Sequence, residues 1–183
     1  MRIALTIALA LVAAPLAAQD RSAFKPGPVL TEYGAHAPVP GVDRLPADTK
    51  FAVAYDVSTP AAEGGTNRGF DAAARFLNMH VAHGVPQENI RLVVVVHGKA
   101  ALELLSNAAY GANAAAGASG AANPSAKLVT AMLEADVRFI LCGQSAAAYG
   151  IKPEDLLPGV EMALSAMTAH ALLQKDGFTV NPF

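Results

Sequence analysis

The stretch Ile90-Arg91-Leu92-Val93-Val94-Val95-Val96-His97-Gly98 constrains the chain more than any other. A strand with one wet face alternates apolar and polar residues. Four successive valines instead predict a strand covered on both faces, as in a parallel sheet with helices on either side. The segments 51–58 (FAVAYDVS) and 137–142 (VRFILC) read as two further strands of this kind. Between them, Phe70, Ala73, Ala74, Leu77 and Val81 recur at helical spacing over 68–82. Gly84 ends that helix and Pro86 prevents its continuation. Lys99 to Ala109 predicts a second helix. Asn123-Pro124-Ser125 opens a third, with proline near its first position, running to about Ala135. A further helix starts at Gly143. Residues 153–157 form a short helical turn, 160–167 suit either strand or helix, and 168–177 are a helix closed by Gly177. Residues 178–183 are a last short strand or tail. Strands alternating with helices predict an α/β layered fold with a mostly parallel sheet.

Three segments stand apart from this alternation. Residues 1–18 carry Arg2, an apolar run from Ile3 to Ala14, and the small pair Ala17-Ala18 before Gln19. That is the pattern of a secretory signal peptide, and the run is short for a membrane span. The chain is therefore expected to be exported, periplasmic or secreted, with no membrane attachment after cleavage. Residues 19–50 contain Pro26, Pro28, Pro38, Pro40 and Pro46 and predict an extended or wrapping arm. Residues 110–123 are almost wholly Ala, Gly, Asn and Ser and predict a mobile loop or lid. The remaining domain is 51–183.

Composition removes several classes of function. Hydrophobic residues at 53% against 15% charged exclude a disordered chain. A net charge of −2, no Trp and 6% aromatics leave neither a basic footprint nor a stacking surface for nucleic acid. A single cysteine excludes an internal disulfide and any multi-cysteine metal cluster. His80 and His83 sit three apart near a helix end, but no carboxylate offers a third ligand at convincing spacing, so neither metal nor cofactor is expected. The apolar surplus, with so few charges, predicts a homo-oligomer.

In parallel sheets the working crevice lies beyond the carboxyl ends of the strands. That rule selects Asp56-Val57-Ser58, His97-Gly98-Lys99 and Cys142-Gly143-Gln144-Ser145. Cys142 falls where a strand gives way to a helix, so the amides of Gly143, Gln144 and Ser145 are free to face it. A helix start favours an anion, and a thiol there is expected to ionise readily. Gly143 leaves room for a ligand to approach the backbone. The same position also suits a small buried hydrophobe that ends a strand. His97 and Lys99 suit binding an anionic ligand or setting a thiol's protonation, whereas a helix-capping His97 is the plainer reading. His170 reads as a packed or capping residue within reach of the crevice.

Three segments together, LVVVVHGKAALELL, VRFILCGQSA and DLLPGVEMALSAMTAHALLQKDGFTVNPF, resemble the DsrE/DsrF-like family over about residues 50–183. The resemblance implies a flavodoxin-like three-layer sandwich with a five-stranded sheet, assembled into trimers or hexamers. It makes 160–167 a fourth strand ending near Ser165. It also implies that Cys142 carries a persulfide, as in a sulfurtransferase-like carrier, with a donor or acceptor protein as partner. Substrate binding by His97, Lys99, Gly143, Gln144 and Ser145 is inferred from their places at the strand ends alone. A flavodoxin-like order 2-1-3-4-5 puts strand one between two and three, separating His97 from Cys142 by about 10 Å, too far for a Cys–His dyad. Two other functions stay open: a non-enzymatic oligomer that binds a small ligand or partner, and a thiol redox sensor.

Overall fold

The computed structural model describes residues 20–116 and 120–181; the signal-peptide reading of 1–18 lies outside them. Five strands form one all-parallel sheet: β1 (Phe51–Val57), β2 (Ile90–Val96), β3 (Arg138–Cys142), β4 (Glu161–Ala163) and β5 (Thr179–Asn181). Five α-helices accompany them: α1 (Arg68–Ala82), α2 (Asn107–Ala112), α3 (Ala126–Glu134), α4 (Gly143–Tyr149) and α5 (Ala166–Lys175). The layered α/β fold with a parallel sheet is the one the alternation of elements predicts, and the five strands are those the family resemblance implies.

Side chains alternate between two buried faces, which is why the central strands are apolar throughout. Val53, Tyr55, Val57, Leu92, Val94, Val96, Phe139 and Leu141 face the larger core, shared with α1, α3 and α4. Ala54, Val93, Val95, Ile140 and Cys142 face the other side, where Ala166, Ala169 and Leu173 of α5 and Phe178 cover them. The thiol therefore lies on the α5 face.

The strand order is β4-β3-β2-β1-β5, which corrects the expected 2-1-3-4-5. β2, not β1, is the central strand, and it pairs directly with β3. The ends carrying His97 and Cys142 are thus one strand apart instead of two. The chain adds β2, β3 and β4 in turn on one side of β1, and only the last crossover returns it to the other side, where β5 pairs with β1 through Val53 and Thr179.

Several boundaries shift. Residues 98–104 are a 3₁₀ turn and α2 follows separately, where a single helix over 99–109 was expected. Leu105 leaves the helical path to bridge Leu156, and Ser106 then caps α2 by accepting from Ala109 N. The loop expected over 110–123 begins inside α2 and includes a second 3₁₀ turn at 114–116, with Tyr110, Ala115 and Ala116 packed on the larger core. β4 stops at Ala163 and α5 starts at Ala166, earlier than the expected 168, because Ser165 caps it through Thr168 N.

The proline-rich arm runs over α1. Asn78, fully buried, accepts from Val29 N and Leu30 N and donates to the carbonyls of Leu30, Tyr33 and Gly34. Gly34 approaches α1 so closely that a Cβ there would sit 2.4 Å from the Ala74 carbonyl carbon. No described helix is long and apolar enough to cross a membrane.

Candidate functional site

Cys142 is the last residue of β3 and the residue before α4, and only 6% of it is exposed. Burial alone raises a thiol's pKa. Here that effect is outweighed, and the Cys142 pKa is lowered, by hydrogen bonds from the backbone amides of Ser145, Ala166 and Gln144 and from the Ser145 hydroxyl. Two of the amides belong to the first turn of α4 and one to the first residue of α5. Two chain segments far apart in sequence thus converge on one sulfur, and each offers groups that favour its anionic form.

Ser145 has a second bond. Its Oγ accepts from Gly98 N at 2.9 Å while its hydroxyl donates to Cys142 Sγ. A donor chain therefore runs from the end of β2 through Ser145 to the thiol. Gln144 also donates its side-chain amide to the Leu164 carbonyl at 3.2 Å, which holds α4 against the turn before α5. Gly143 is required at its position for a reason other than ligand access. A Cβ there would lie 2.7 Å from the Ala163 carbonyl oxygen and 3.1 Å from that of Leu164. The space read as room for a ligand is filled by the chain leaving β4.

A second cluster lies on the same face. Asp56 Oδ2 accepts from His97 Nε2 at 3.2 Å, and Asp56 Oδ1 from His170 Nε2 at 2.8 Å. Burial works to raise the Asp56 pKa, but the hydrogen bonds and charges of the two histidines prevail and lower it. His97 makes no side-chain bond to the turn that follows it, so the capping reading of His97 does not hold. His170 turns into the crevice from α5, and its Nδ1 is buried without a partner. Val96 pairs with Leu141, so the next step along the two strands sets His97 opposite Cys142.

The structure brings together Cys142, Gln144, Ser145 and His97 but leaves Lys99 apart. Lys99 is exposed and lines a pocket of about 560 Å³ with Glu103, Tyr110 and Pro124. Glu103 there is buried, which raises its pKa, and accepts from Ala61 N at 2.6 Å and from Asn67 Nδ2 at 2.5 Å. His80 and His83 are spent on the carbonyls of Phe76 and Asp43. No cluster of three or more His, Cys, Asp or Glu among the described residues is disposed to hold a metal.

Sequence reasoning did not assign the Ala166 amide, or the pairing of Asp56 with His170. For Asp56 the available signals were its place at a strand end and its being the one acid in FAVAYDV. Nothing local marks Ala166, whose contribution depends on where α5 docks.

A family model described as the DsrE/DsrF-like family matches residues 51–182. No curated protein matches the chain. Among solved structures, a protein of unknown function from Methanobacterium thermoautotrophicum is similar, with 18% identity and a TM-score of 0.48. That alignment covers 73% of this chain and 100% of the other.

Proposed function

The chain belongs to the DsrE/DsrF-like family, and from that premise we propose that it is an exported sulfur carrier whose Cys142 holds sulfane sulfur as a persulfide. The observation that carries this reading is the set of four hydrogen bonds, three from amides and one from a hydroxyl, that lower the Cys142 pKa despite burial. Carrying sulfur requires a thiolate twice. It attacks the donor's sulfur first, and it is the leaving group when the sulfur moves on. A site that stabilises the anion serves both steps. No metal or organic cofactor takes part in either one.

Export follows from the pattern of residues 1–18. Assembly with a second copy or with an acceptor protein is supported by exposed apolar residues next to the thiol. Leu164 and Met167, on either side of the Ser165-Ala166 pair, are 73% and 79% exposed, and Leu172 on α5 is 57% exposed.

The test is the intact mass of the exported protein before and after exposure to inorganic polysulfide. Wild type is expected to gain one or more sulfur atoms, and Cys142→Ser none. An unchanged wild-type mass, or an equal gain in Cys142→Ser, refutes the reading. The mass before exposure also reports whether residues 1–18 have been removed.

A further inference from the structure

The Asp56–His97–His170 cluster takes no part in lowering the Cys142 pKa, whose causes are the amides and the Ser145 hydroxyl. It is nevertheless built with care. An ionised carboxylate only accepts hydrogen bonds. Each Asp56 oxygen takes one histidine Nε2, so each neutral ring carries its proton on Nε2 and its lone pair on Nδ1. The two lone pairs differ in access. His170 Nδ1 is sealed in. The His97 side chain is 33% exposed, and among the described residues its Nδ1 has no partner yet is not one of the buried atoms.

Position completes the argument. β2 and β3 are neighbours, with Val96 opposite Leu141. The next pair is His97 and Cys142, on strands about 4.8 Å apart. Val95 and Ile140 face α5, and the two-residue alternation puts the His97 and Cys142 side chains on that same face. The groups around His97 are Asp56 from β1, Cys142 from β3 and, through Asp56, His170 from α5. A thiol that comes to take sulfur from Cys142 meets an exposed basic nitrogen on the adjoining strand.

We propose that His97 is the general base that activates the acceptor thiol, and that Asp56 and His170 are positioning residues that fix its tautomer and orientation. The proposal rests on the sulfur-carrier reading and deepens it, since it defines the acceptor as a protonated thiol. His97 Nδ1 takes the S–H proton of the acceptor. The resulting thiolate attacks the outer sulfur of the Cys142 persulfide. The acceptor's new S–S bond forms as the Sγ–S bond breaks, and the outer sulfur keeps its own proton. The electron pair leaves on Sγ, where the amides of Gln144, Ser145 and Ala166 and the Ser145 hydroxyl receive it. The imidazolium returns its proton to solvent. One S–S bond replaces another, so no outside oxidant or reductant is needed.

The experiment is single-turnover sulfur transfer from polysulfide-loaded protein to two acceptors. 2-Mercaptoethanol is protonated at neutral pH, whereas 2-nitro-5-thiobenzoate is already a thiolate and needs no base. His97→Gln is expected to slow transfer to 2-mercaptoethanol by about 100-fold, the lower end for a positioned general base. The same variant is expected to leave transfer to the aryl thiolate near the wild-type rate and to flatten the pH–rate profile for the aliphatic acceptor. Asp56→Asn changes the rates in the same direction. His97→Asn serves as a second variant should His97→Gln fold poorly. Equal slowing with both acceptors, or with neither, overturns the proposal while leaving the carrier reading intact. A wild-type protein that retains no sulfur on Cys142 overturns both.

Discussion

Ser145 offers the most direct test of what lowers the Cys142 pKa, because one atom links two parts of the site. Its hydroxyl donates to Sγ and its oxygen accepts from Gly98 N at 2.9 Å. Ser145→Ala removes the only side-chain donor and leaves the amides of Gln144, Ser145 and Ala166 in place. The sign is fixed: losing a donor to the charged form raises the pKa. A hydrogen bond to a charged group is worth about 1.5–3 kcal/mol, and the lower end applies here because three donors remain. Gly98 is only half-buried, so its freed N–H turns to water and adds little. A loss of about 1.5 kcal/mol lowers the thiolate population roughly tenfold wherever the thiol is mostly protonated. The assay is the rate of iodoacetamide alkylation of native protein as a function of pH. The variant is expected to react about tenfold more slowly at the acid end, at roughly that same factor in thiolate population. The two rates should converge at alkaline pH, where both thiols are ionised. A rate ratio that stays constant across the whole pH range refutes the reasoning, because it reports altered access to Sγ instead of altered ionisation.

Two further predictions concern the arm and the assembly. Asn78→Ala removes five hydrogen bonds between α1 and the arm; it is expected to cost about 3 kcal/mol, two to three net hydrogen bonds, in chemical denaturation. Limited proteolysis should then cut first within 20–50, and uniform cleavage across the chain would show that the arm does not detach on its own. Light scattering of the purified protein is expected to give a mass above that of one chain, and Leu164→Glu with Met167→Glu should reduce it; a wild-type monomer at micromolar concentration counts against self-assembly through this face.

Much of the fold was legible because the strands announce themselves. Val93 to Val96 are buried on both sides of the sheet, and that demand shows directly in the sequence. The thiol's place at a strand end was legible for the same reason. Strand order was not, since it depends on how crossovers pack and not on any local pattern. The order decided the chemistry: the expected arrangement kept His97 and Cys142 two strands apart, and the observed one makes them neighbours. Gly143 shows a subtler limit. Glycine signals a close approach, but only the fold reveals that the approaching atoms are the Ala163 and Leu164 carbonyls and not a ligand. The role of His170 was out of reach because its partner Asp56 lies 114 residues earlier.

The pairing of β5 with β1 also ties the site to the last stretch of the chain. Val53 meets Thr179 across nearly the whole domain, and closing a loop of that length is an entropic cost that precedes any gain from the contact. α5 lies within that last stretch of chain and brings both the Ala166 amide and the His170 ring. Until it docks, Cys142 has at most the α4 donors and Asp56 lacks one of its two histidines. If Cys142 carries sulfur as proposed, the full set of groups that favours its thiolate exists only where the C-terminal stretch of the chain has docked.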